Sequence, residues 1–193
     1  MASQTAKTRR KPRADSLRNR QKLLEAASVV FGAGDGQASL EAVARQAGVG
    51  IGTLYRHFPT REELFEAVYR NEVDILGDLA ERLVAEGGDT VEALRRWLHA
   101  SIRLFTTKSG MIEGLQLAAA GSSELRAYSL ERMTGATALL LKSGVDAGQM
   151  RDDISPEDIF RALVGIFYSQ MPTKDPADTI RLIDVFVDGL RKR

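Results

Sequence analysis

The sequence predicts an all-α protein, an N-terminal module of three helices followed by a bundle of about six. Three observations carry this. Apolar residues recur three and four apart almost throughout, the period of a helix with a buried face, and sustained strand-type alternation is missing. Five Pro in 193 residues are too few to interrupt that period. Cap-forming residues stand just ahead of the apolar stretches, where a helix has orphan backbone donors to satisfy.

The first helix is expected over residues 16–31, with Leu17, Leu23, Leu24, Ala27, Val30 and Phe31 on its apolar face. Gly32, Gly34 and Gly36 then break it. A short helix follows, capped by Ser39 and turned inward by Leu40, Val43 and Ala44. It stops at Gly48, which supplies the left-handed residue that ends many helices. A second short helix, over 50–57, ends because Pro59 disfavours helical geometry at Phe58.

Thr60-Arg61-Glu62-Glu63 is a capping box, its hydroxyl and carboxylate each satisfying a backbone donor. It opens a helix to residue 85 that carries Leu64, Phe65, Val68, Tyr69, Ile75, Leu76, Leu79 and Leu83. That length lets the helix leave one module and enter another. Beyond Gly87-Gly88, Asp89 or Thr90 opens a helix to residue 107 with Val91, Leu94, Trp97, Leu98, Ile102 and Phe105. A short helix is expected over 111–119, and Ser122 or Ser123 opens another to 147. Ser155-Pro156 and Asp175-Pro176 each set a capper before Pro at the first helical position. Nine helices result, with no repeat of solenoid length.

The chain holds 27 Lys and Arg against 26 Asp and Glu, unevenly spread. Residues 1–22 carry Lys7, Arg9, Arg10, Lys11, Arg13, Arg18, Arg20 and Lys22 against Asp15, so the head is +7 and the remainder −6. A basic head on an acidic body points to one end meeting a polyanion. Cations near the start of the first helix oppose its macrodipole, so helix propensity did not select Arg18, Arg20 and Lys22. Residues 1–14 have no apolar face to offset their ordering and are expected to form a disordered basic arm. The absence of Cys excludes disulfides, thiolate metal sites and a Cys nucleophile. No apolar run approaches the roughly 20 residues that span a bilayer. The basic N-terminus lacks the apolar stretch of a secretory signal, so a soluble cytoplasmic protein is expected.

Two short helices joined by a Gly-containing turn and followed by a long helix match a helix-turn-helix. The second helix of that motif enters the major groove, its early residues facing base edges and phosphates. Ala44 is small enough for close helix approach, Gly48 allows the tight turn, and Leu54 and Phe58 point into the small core. The window Ala44-Arg45-Gln46-Ala47-Gly48-Val49-Gly50-Ile51-Gly52-Thr53-Leu54-Tyr55-Arg56-His57-Phe58-Pro59-Thr60-Arg61-Glu62-Glu63-Leu64-Phe65 resembles the DNA-binding domain of tetracycline-repressor (TetR) family transcription regulators. The likeness covers residues 16–65 at motif level and extends beyond them only to helix count and length. It implies a homodimeric repressor whose C-terminal domain binds a small effector and releases double-stranded DNA. It divides the chain into the arm 1–14, a DNA-binding domain 15–60 and an effector-binding and dimerisation domain 61–193.

Matched by position, Thr53, Tyr55 and His57 fall where the family contacts phosphates. Arg61 is the basic residue opening the fourth helix, Gly52 allows close backbone approach, and Ser39 caps the helix whose end also meets phosphate. Gly50, Ile51 and Arg56 occupy the variable positions of base readout. The family often has Ser or Thr at the position of Gly50 and a basic or polar residue at that of Ile51. Ile51 can touch a thymine methyl but cannot hydrogen-bond a guanine, which shifts sequence preference toward Arg45, Gln46, Arg56 and the arm.

Helices four to seven are then expected to enclose the effector. The residues there with bulk and polar handles are Trp97, Arg103, Phe105, Met111, Gln116, Tyr128, Arg132 and Met133. On the eighth and ninth helices apolar residues cover more than one face, which implies a second partner. Phe160, Leu163, Val164 and Phe167 with Ile183, Phe186, Val187 and Leu190 are the candidates for a four-helix dimer interface. A buried hairpin within one chain is the alternative.

No cofactor, metal site or catalytic constellation is expected. Gly48-Val49-Gly50-Ile51-Gly52 is similar to a dinucleotide loop, but the third Gly falls at Thr53 and no strand precedes it. His57 and His99, the only two His, lie far apart, and neither a phosphate-loop Lys pattern nor a Gly-x-Ser-x-Gly elbow occurs. Two readings stand beside the effector-released repressor: a helix-turn-helix regulator governed by a protein partner, and an all-α enzyme or scaffold with a basic tail.

Overall fold

A computed structural model describes residues 10–33, 38–115, 122–169 and 176–192. Among them are eight helices: α1 (Arg10–Gly32), α2 (Leu40–Gln46), α3 (Ile51–His57), α4 (Arg61–Glu86), α5 (Thr90–Leu115), α6 (Ser123–Asp146), α7 (Pro156–Ser169) and α8 (Pro176–Asp188). Two compact units form. The first comprises Met1–Val68 with Thr107–Ala120, the second Tyr69–Thr106 with Gly121–Arg193. Helices α4 and α5 therefore contribute to both.

The first unit buries Leu23, Leu24, Ala27 and Phe31 of α1 against Leu40, Val43, Ala44, Leu54, Phe58, Leu64, Phe65 and Val68. Helix α1 begins at Arg10, six residues earlier than its apolar pattern predicts. Its extra turn is polar and so invisible to periodicity, and Pro12 is tolerated there because a first-turn residue has no intrahelical partner for its N–H. Leu17, expected on the apolar face, is 64% exposed, because the buried set of α1 starts only at Leu23.

Eight helices replace the expected nine because α5 runs unbroken where two were predicted. Gly110, which sits at the predicted break, serves packing instead. A Cβ there would lie 1.8 Å from the carbonyl oxygen of Phe31, so only glycine lets α1 approach. Within the same contact Thr107 is fully buried.

The second unit is built around Trp97, whose indole N–H donates to the Leu76 carbonyl at 2.9 Å. Tyr69 and Ser129 share a buried hydroxyl–hydroxyl bond of 3.0 Å. Asp89 starts α5 by accepting from the N–H groups of Val91 (2.9 Å) and Glu92 (3.0 Å). The Gln149 side-chain Oε1 adds a second cap, accepting from the Thr90 N–H at 2.8 Å and its hydroxyl at 2.7 Å. Ser155 caps α7 reciprocally with Asp158, as the Ser-Pro start predicts. An antiparallel bridge between Met150 and Arg191 ties the α6–α7 connection to the end of α8.

Candidate nucleic-acid interface

Ser39, extended at φ −141° and ψ 163°, starts α2 by accepting from the Ala42 N–H at 3.1 Å. The helix closes with two reversed bonds, Val49 N–H to Ala44 O at 3.0 Å and Gly48 N–H to Arg45 O at 3.1 Å. That closure requires a left-handed residue, and Gly48 has φ +67°. The chain then re-enters a helix at Gly50, whose carbonyl accepts from Thr53 N–H at 2.8 Å.

Helix α3 is anchored from one side only. Leu54 is fully buried and Phe58 is 2% exposed, whereas Ile51 is 39% and Tyr55 46% exposed. Gly52 and Arg56 are exposed as well, and Thr53 and His57 are half-buried. The outward row combines one apolar contact surface, a phenol, a hydroxyl and an imidazole, the mixture that meets base edges and phosphate oxygens. Arg56 lies back along its own helix, donating to the Gly52 carbonyl and to the Thr53 hydroxyl, each at 3.1 Å. To reach a base edge it must give up two exposed hydrogen bonds, a cost of about 1 kcal/mol each.

Around α3, Arg45 and Gln46 stand exposed at the end of α2, and Arg61 is exposed at the start of α4. Thr60 caps α4 by accepting from the Glu63 N–H at 3.1 Å. Arg45 has no carboxylate partner among the described residues, nor do Arg20 and Lys22 of α1. Residues 1–9 of the basic arm lie outside the described residues.

The residues expected at an effector site divide. Tyr128 and Arg132 line a cleft of about 380 Å³ between α4 and α6, together with Gly77, Glu81, Glu131 and Leu139. Arg132 crosses Gly77 to reach Asp78 at 2.7 Å and Glu81 at 3.2 Å. The Tyr128 hydroxyl donates to Asp74, whose carboxylate pushes the phenol above its ordinary pKa. Arg103 meets the buried Glu72 at 3.1 Å. Phe105 stacks on Phe167 with ring centroids 3.8 Å apart. Trp97 and Met133 are buried in the second unit and Met111 in the first. Gln116 lies outside the described residues.

The dimer candidates divide too. Leu163, Ile183, Val187 and Leu190 are at most 2% exposed, spent on the protomer's own core. Phe160, Val164, Phe167 and Phe186 are half-buried. The most exposed apolar side chains of α8 are Val185 at 72% and Leu182 at 41%. Leu182 escaped the sequence reading because periodicity reports that a helix has several apolar faces, not which one the protomer uses.

A short helix locked to its module by two core side chains and bare on its far side defines a helix-turn-helix protein. Comparison with known proteins narrows the class. The family described as bacterial regulatory proteins, tetR family, matches residues 23–68, and the SbtR-like transcriptional regulator C-terminal domain matches residues 89–192. The TetR regulator SCO0520 of Streptomyces coelicolor is 43% identical, over 89% of this chain and 98% of that one, with a TM-score of 0.76. A TetR regulator of Mycobacterium vanbaalenii is 30% identical over 94% and 99%, with a TM-score of 0.72. The HTH-type transcriptional regulator SAUSA300_2515 of Staphylococcus aureus is 28% identical over 60% of this chain, and the match spans 62% of that relative's length. The chain belongs to the TetR family of transcriptional regulators, a non-enzymatic class of DNA-binding helix-turn-helix proteins. No helix among the described residues is long and apolar enough to cross a membrane.

Proposed function

We propose that this protein represses transcription by binding a palindromic operator as a homodimer, with α3 in the major groove, and that a small molecule releases it. The reading rests on one observation above others: α3 turns Leu54 and Phe58 into the core and offers Ile51, Tyr55 and Arg56 to solvent. Thr53, Tyr55, His57 and Arg61, with the capped end of α2 at Ser39, then grip phosphates. Gly50, Ile51 and Arg56, with Arg45 and Gln46 beside them, face base edges across the approach that Gly52 leaves open. The duplex sets the site of action in the bacterial cytoplasm.

Dimerisation is supported by Val185 and Leu182, which leave an apolar stripe of α8 exposed among the described residues, flanked by the half-buried Phe186. It has a functional logic, since two recognition helices about 34–36 Å apart read a palindrome while one gives little specificity. The α4–α6 cleft, with Tyr128 and Arg132 in its wall, is the favoured effector site. Selection of bound duplexes from a random pool tests the reading. Recovery of a palindrome with half-sites one helical turn apart is the expected result, and an empty selection rejects operator binding.

A further inference from the structure

Arg20 is exposed on α1, and its guanidinium carbon stands 5.2 Å from the centroid of the Phe58 ring. Phe58 follows the last residue of α3 and is itself 2% exposed, so the ring is a fixed platform of the core. The cation is thus held at the C-terminal end of α3 by a residue of a different helix. Arg18, two residues earlier, is neutralised by Asp15, but Arg20 has no acidic partner among the described residues. An aromatic face orients a guanidinium through its quadrupole while leaving the N–H edge unused. That edge is the part that binds a phosphate bidentately.

The scale of the parts fits. Helix α3 has seven residues, a length of roughly 10 Å at about 1.5 Å per residue. The major groove is about 12 Å wide, so the end of a helix lying across it comes to the phosphates along the groove wall. A cation fixed on the ring that ends α3 meets that wall. We infer that Arg20 is a phosphate-binding residue of the DNA interface, presented by α1 and aimed by Phe58.

The inference rests on the proposed operator binding, and the experiment keeps the two apart. The probe is a mixed-sequence duplex of about 30 base pairs, titrated at several salt concentrations. Arg20→Met keeps an apolar stem on the Phe58 ring and removes the charge. It is expected to weaken binding about ten-fold at about 0.1 M salt and to flatten the log–log salt slope by about 0.9 per protomer. An unchanged slope overturns the role of Arg20. Wild-type protein that ignores the duplex at every salt concentration overturns operator binding itself, whatever Arg20 does.

A second measurement does not depend on that variant folding. The chain has no Cys, so Arg20→Cys carries the one thiol in the protein, and Lys142→Cys supplies an exposed comparison in the second unit. Duplex in excess at low salt is expected to slow alkylation at position 20 at least five-fold, with position 142 unaffected. Equal rates with and without duplex at position 20 overturn the proposal.

Discussion

The two units spend their cations differently. In the second, Arg95 binds Asp184 and Asp188 at 2.7 and 2.5 Å, Arg96 binds Glu86 at 2.9 Å, and Arg132 binds Asp78 and Glu81. Lys142, Arg151 and Arg161 are paired as well. In the first, Arg20, Lys22 and Arg45 have no carboxylate partner among the described residues, and Arg56 bonds to Gly52 and Thr53 of its own helix. The pairs of Arg95, Arg96 and Arg132 join different helices, while those of Lys142, Arg151 and Arg161 lie within one helix or loop. Arg18 of the first unit is paired with Asp15, but the three unpaired cations beside it form a positive field, and such a field favours association with a polyanion. The −6 balance beyond residue 22 expresses the same division, with enough acid for the body's bases and little for those of the head.

The contrast can be broken most drastically through the core that holds α3. Leu54→Ala removes its fully buried anchor and is expected to cost about 2–5 kcal/mol in chemical denaturation, with loss of duplex binding. Gly48→Ala strains the left-handed turn and should cost about 1–2 kcal/mol, read as a lower melting temperature. A smaller effect sharpens the comparison. Arg61→Ala should weaken all duplex sequences alike, while Arg56→Ala should change which sequence is preferred. The same loss on every operator variant for both would merge the two roles.

The smallest effect concerns acid. The Arg95 guanidinium donates to Asp184 and holds that carboxyl below the usual carboxylate range, with His99 assisting at 2.9 Å. A depressed pKa in the folded state contributes stability that is present above the ordinary Asp value of about 4 and is lost as pH falls through the folded value. The urea midpoint should therefore drop on acidification below about pH 4, and Asp184→Asn should flatten that drop. The duplex salt slope should not change in the variant, since this cluster belongs to the second unit.

Much of the first unit is legible in sequence because its signals are local. Gly48, Pro59, Ser39 and Thr60 each act within four residues, and the structure has the turn and the Ser39 cap they predict, with the hydroxyl half of the Thr60–Glu63 capping box. What sequence could not reach is long-range. Gly110 reads as a helix breaker, and only the carbonyl of Phe31, 79 residues earlier, reveals it as a packing site. Trp97 was a candidate for ligand contact, yet its indole N–H is consumed by Leu76. The sequence reading sets Arg20 near the start of the first helix, but α1 begins at Arg10, so Arg20 lies ten residues in, beyond the reach of the dipole at that end, and its aromatic seat depends on the fold of α3. Wide apolar faces on α7 and α8 were visible, while the division into inner Ile183 and outer Val185 had to await the packing of α8.

The salt dependence of duplex binding tests the central claim most directly. Four phosphates neutralised per protomer of a dimer, at about 0.9 each, give a log–log slope of about −7. A slope near zero would contradict the account, because the uncompensated cations of the first unit would then have no polyanion to meet.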